Sequence, residues 1–153
     1  MKPFKIILLT LAVFSLFTAC KKTPIVILED ETYFGDLCVA TTESSLQRQR
    51  IQVFVEINDD NTLNFTMKEV KFDEEMSTID MKITSIIYKK VGDIFTLSVS
   101  KEGIIPTDMI GTPFPQYTIK ELEGTITSEE LWFFMYCGEN RVDFRGVLKG
   151  MIL

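Results

Sequence analysis

"RIQVFVEINDDNTLNFTMKEVKF", Arg50 to Phe72, decides the fold. In its first half Ile51, Val53, Val55 and Ile57 alternate with polar Gln52 and Glu56, the two-residue period of a strand with one apolar face. Asn58 to Thr62 is a run of turn formers, so the chain reverses there as a hairpin. The contiguous oxygens of "NDDN", Asn58 to Asn61, lack the spaced ligands and later acid of a calcium loop and read as that turn. The returning strand sets Leu63, Phe65 and Met67 on one side, then Val70 and Phe72. The parity slips by one residue, which predicts a β-bulge near Lys68 and Glu69. The sequon "NFT", Asn64 to Thr66, reads as part of this strand.

The same pattern runs outward in both directions. Upstream, "YFGDLCV" puts Tyr33, Gly35, Leu37 and Val39 on one face. Downstream, Ile79, Met81 and Ile83 give way to Ile86 and Tyr88, a second parity slip; "VGD" turns the chain, and Phe95, Leu97 and Val99 follow. "YTIKELEGTI", "LWFFMYC" and "RVDFRGVLKG" complete eight strands, mostly hairpin-linked. Only Thr41 to Arg50 and "DEEM" could hold a helical turn. An even number of antiparallel strands, each with one apolar face, predicts an all-β, eight-stranded, up-and-down barrel, because closure removes exposed edges. A two-sheet β-sandwich has the same local signature and is the alternative.

The first residues are of another kind. Lys2 and Lys5 precede Ile6 to Phe17, an uncharged run too short to span a bilayer comfortably, and small Thr18 and Ala19 lead to Cys20. "FTAC" resembles a bacterial lipobox, in which the cysteine is acylated and becomes the new N-terminus. The expected division is a lipoprotein signal peptide over 1–19, a lipidated tether over 20–31 and one domain over 32–153. Lys21 and Lys22 directly after Cys20 point to an outer-membrane anchor facing the periplasm.

Charge and composition narrow the function. The chain carries 16 basic and 22 acidic side chains, a net charge of −6. Loss of Lys2 and Lys5 makes the mature protein more negative still, which argues against nucleic acid as a partner. There is no histidine, so neither a Ser-His-Asp nor a Cys-His pair can be built, and the commonest zinc ligand is missing. The expectation is no metal, no cofactor and no enzyme. Cys38 and Cys137 are an even pair in an oxidising compartment; a disulfide and two buried thiols both fit.

In their order, "TYFGDLCV", "IQVFVEINDDNTLNFTMKEVKF", "IDMKITSI", "IKELEGTITSEELWFFMY" and "VDFRGVL" resemble the calycin-like domains of Gram-negative lipoproteins. The resemblance implies a lipocalin-like barrel and no activity. Gly35 is followed by Asp36 and Leu37, a departure from the Gly-x-Trp of lipocalins that counts against true lipocalin ligand chemistry.

Three stretches are candidate sites. In "FDEEM" the adjacent acids could pair as in glycosidases, but on a turn they point apart and stay solvated. "LWFFMYC", Leu131 to Cys137, is apolar on both parities. Trp132 and Phe134 are either inward filling, with Phe65, Met67, Met81, Phe95 and Phe144, or an outer aromatic patch that a partner, the "IVIL" tether or the long loop covers. That loop, Gly103 to Pro115, is long and apolar, and Ile104, Ile105, Met109, Ile110 and Phe114 would plug or gate a barrel mouth. Two functions follow. One is a membrane-anchored envelope lipoprotein that takes a small apolar ligand in or at the mouth of the barrel. The other is a protein–protein interaction module, as an accessory subunit of an envelope complex or a hydrolase inhibitor.

Overall fold

The computed structural model describes residues 28–41, 46–72 and 75–151. The signal segment, Cys20, the tether up to Ile27, and the acids Asp73 and Glu74 lie outside the described residues. Eight antiparallel strands form one closed barrel in sequence order: β1 Glu31–Ala40, β2 Leu46–Ile57, β3 Thr62–Val70, β4 Ile79–Val91, β5 Ile94–Ser98, β6 Ile119–Ile126, β7 Glu130–Cys137 and β8 Asn140–Leu148. β1 pairs with β8 from Tyr33↔Leu148 to Ala40↔Arg141, and this seam excludes the sandwich. Leu46 to Arg50 belong to β2 rather than to a helical turn. Their polar character hid the strand, which is held by backbone pairing to β1 from Ala40↔Leu46 onward.

Both parity slips are bulges. Met67 pairs with Met81 and Val70 with Ile79, so three steps of β3 oppose two of β4, and Glu69 sits at φ 54°. Phe65 pairs with Ile83 and Leu63 with Ile86, so the extra residue is now on β4, where Ser85 sits at φ 60°. Each left-handed residue has its backbone N–H held by a side chain from the opposite strand. Glu69 N donates to Asp80 Oδ1 (3.0 Å), and Ser85 N donates to Asn64 Oδ1 (3.1 Å). The side chains replace the ladder bonds that the bulges break.

The inward face is mostly apolar, with Leu37, Val53, Phe65, Met81, Phe133 and Phe144 buried, and Gln47 and Gln49 of β2 share it opposite Val39 and Leu37. At the centre Phe133 stacks on Phe65 (5.0 Å between centroids) and on Phe144 (5.2 Å). Gly35 and Gly146 pair across the β1–β8 seam. A Cβ on Gly146 would lie 2.5 Å from Phe144 Cζ, so glycine is what lets that ring lie flat against its own strand.

Candidate functional site

Trp132 and Phe134 do not fill the barrel. In β7 it is Leu131, Phe133, Met135 and Cys137 that are buried, while Trp132 is exposed and Phe134 and Tyr136 are half-buried. The other large residues expected inside, Phe65, Met67, Met81, Phe95 and Phe144, are buried. Phe65, Phe133 and Phe144, buried on the inward face, stack on one another and take up part of the barrel interior with their own rings.

Cys38 and Cys137 are both free thiols. Cys137 is buried on the inward face of β7, whereas Cys38 follows inward Leu37 on β1 and belongs to the outer face, with β8 between the two strands. The wall of the barrel separates them, so no disulfide joins them. Burial pushes the Cys137 thiol up from its usual range, and its Sγ donates to Tyr117 O at 3.4 Å.

The long loop is built into the barrel wall at its base. β5 is short, and the chain after it returns to the gap that β5 leaves between β4 and β6. Ile104 exchanges two backbone hydrogen bonds with Ile119 of β6 (2.8 and 2.7 Å), and Thr107 exchanges two with Lys82 of β4 (2.8 and 2.9 Å). Ser98 pairs with Ile87 and Thr107 with Lys82, so nine steps of this segment accompany five of β4. The surplus is an outward excursion, after which the segment resumes β5's place in the wall. Ile104 and Phe114 pack against the core, but Ile105, Met109 and Ile110 are exposed, Ile110 at 90%. Five plugging side chains were expected, and two of them face the core. The tip is ordered: Asp108 Oδ1 accepts from Ile110 N (2.9 Å) and Thr112 N (2.8 Å). Beside it lie a recess of about 300 Å³ lined by Ile79, Asp80, Asp108, Met109 and Ile110, and one of about 350 Å³ between Met76, Phe114 and Tyr117.

The outer face of β7, β8, β1 and β2 is the second candidate. Strand register places its residues in rows across four strands. Trp132, Arg145, Asp36 and Arg50 form one, and Phe134, Asp143, Cys38 and Arg48 form the next. Tyr136, Arg141, Ala40 and Leu46 flank them on one side, and Glu130, Val147, Phe34 and Gln52 on the other. Every arginine in the sequence, Arg48, Arg50, Arg141 and Arg145, stands here. Arg141 lies over the Phe134 ring at 4.9 Å and pairs with Asp143 (3.0 Å); Arg145 pairs with Glu130 (3.2 Å). The sequence marked Trp132 and Phe134 but not the arginines. The available signal was spacing: Arg48 and Arg50 two apart on one strand, Arg141 and Arg145 four apart on another, all of one parity with outward residues.

Among the described residues the carboxylates held away from their ordinary values, Glu56, Asp60, Asp80 and Asp108, are all held low. For Glu56 the Asn64 amide is the main cause, and for Asp80 the Lys68 ammonium. Groups held low serve as hydrogen-bond acceptors, whereas a general acid near neutral pH must be held high. "NDDN" is the β2–β3 turn, with the Asp60 carboxylate accepting from the Thr62 N–H and hydroxyl.

No protein-family model matches the chain, and no curated protein is similar to it. A solved structure from Bacteroides fragilis, described as a "putative outer membrane protein", superposes with a TM-score of 0.56 at 20% identity. The likeness is one of fold. It covers 77% of this chain and 50% of the other, so the chain spans about half the length of the structure that it matches.

Proposed function

We propose that the chain is a calycin-like lipoprotein of the Gram-negative cell envelope, anchored through Cys20 to the outer membrane and facing the periplasm, that works without catalysis by binding other proteins on its outer surface. The observation that carries this is the packed barrel centre. The Phe65–Phe133–Phe144 stack occupies the space where a carrier of this architecture would hold its ligand. A small apolar ligand would meet open recesses instead, one between Met76, Phe114 and Tyr117 and one beside Met109 and Ile110. The outer-membrane description of the Bacteroides fragilis protein supports an envelope setting. The lipobox-like "FTAC" and the uncharged run before it support the anchor.

Two measurements test the proposal. Labelled palmitate should be incorporated by the native chain and not by C20A; label in C20A removes the anchor. Native mass spectrometry of protein purified from its host should give the mass of the acylated chain alone. A stoichiometric apolar ligand would return the carrier.

A further inference from the structure

We infer that the outer face of β7, β8, β1 and β2 is a docking surface for an acidic protein segment. The inference rests on the reading that this protein binds on its outside. The first argument is composition. Protein interfaces draw most of their binding energy from Trp, Tyr and Arg near the centre of the contact. Here Trp132, Tyr136 and all four arginines share one face of four strands, with Phe34 and Phe134 among them. A chain with 22 acidic side chains places its whole arginine complement on this sheet and leaves its other cations as lysines. Arginine is the cation suited to flat, bidentate contact with carboxylates and to stacking on rings.

The second argument is unspent charge. Arg141 and Arg145 are committed to Asp143 and Glu130. Arg48 and Arg50 are exposed, and among the described residues neither forms an ion pair, although Asp36 stands opposite Arg50 in register. They project outward from β2, three strands around the closed barrel from β7, and Arg50 lines the same recess as Glu130 of β7 and Val147 of β8. At ~4.8 Å between strands the four strands span about 14 Å along the curved wall, with four rows of side chains across them. It carries a shallow recess of about 270 Å³ lined by Phe34, Asp36, Arg50, Glu130, Arg145 and Val147. Small ligands take deeper, more enclosed sites, whereas an extended chain fits a shallow recess of mixed charge with its carboxylates at the unpaired arginines at and beside the edge. The carboxylates would meet Arg48 and Arg50, and apolar side chains would lie on Trp132 and Val147, both exposed.

The test is selection of a random displayed peptide library on the full chain in detergent. Enriched peptides should be richer in Asp and Glu than the input. R48E/R50E should weaken the best of them by about tenfold or more, and W132A should weaken them as well. K101E/K120E imposes the same charge change at exposed sites elsewhere and should leave binding within about twofold. Absence of acidic enrichment overturns the inference, and so does equal loss with K101E/K120E. Heparin or phosphatidylglycerol vesicles binding through Arg48 and Arg50 where acidic peptides do not would also overturn it, and would give the face to a glycan or a lipid surface. Peptides that bind but depend on Ile110 would refute this face while leaving the interaction-module reading intact.

Discussion

Asn64 shows how much one side chain can hold. It is buried, accepts from Ser85 N, and donates to Glu56 Oε2 at 2.9 Å and to Asn58 Oδ1 at 3.3 Å. It therefore ties the β4 bulge to the β2–β3 turn. Asn64→Ala should cost about 1–2 kcal/mol, because its partners lose a fixed acceptor and donor while lying near water. Urea midpoints measure the loss, and an unchanged midpoint would mean that solvent replaces the network. Tyr33 gives a residue-level pH dependence. Its phenol is pushed up from 10.0 to about 12, by burial first and by the Glu31 carboxylate second. The neutral phenol is the form the fold prefers, so this contribution is fully present below pH 10 and is lost as pH rises through about 12. Tyr33→Phe should flatten the decline of stability across that window. Wild type and variant with parallel alkaline profiles would show that Tyr33 is not the group responsible.

At the scale of elements, the segment between β5 and β6 is one end in the wall and one end in water. Ile110→Ser at the exposed tip should leave stability within about 0.5 kcal/mol. Phe114→Ala should cost about 2 kcal/mol, less than the ~3–5 kcal/mol of a fully buried ring because Phe114 is only partly covered. Thermal melts of the two variants separate these outcomes, and equal losses would mean that the tip too is packed. Excision of Ile104 to Phe114 removes the bonds to Lys82 and Ile119 and should leave the chain aggregated. The strands themselves were legible because alternation is local: Ile51, Val53 and Val55 announce their face, and the β3 and β4 bulges show as parity slips. The face of β7 was not legible, since a strand apolar on both sides carries no phase. The neighbours decide it: Phe133 has Phe65 and Phe144 on either side of it. The loop's pairing was hidden for a related reason. Ile104 and Thr107 join strands that lie far away in sequence, and nothing local records such a pairing.

For the whole molecule the seam between β1 and β8 is decisive, and glycine sets its tolerance. Gly146→Val would drive a branched side chain into the Phe144 ring and should cost about 1–3 kcal/mol or more. A urea midpoint equal to wild type would show that the ring can swing aside. The seam also has a meaning in time. Seven of the eight pairings join neighbours along the chain and can form as the chain appears, but β1 must wait for Asn140–Leu148. Until then β1 and β7 are open edges, and β7 is the segment "ELWFFMYC", apolar on both sides. A chain stopped at Gly138 should therefore be recovered as aggregate, and a soluble, folded fragment would contradict this. The interval between the making of the seventh strand and the arrival of the eighth is this protein's most exposed moment, when it has most need of a holding chaperone.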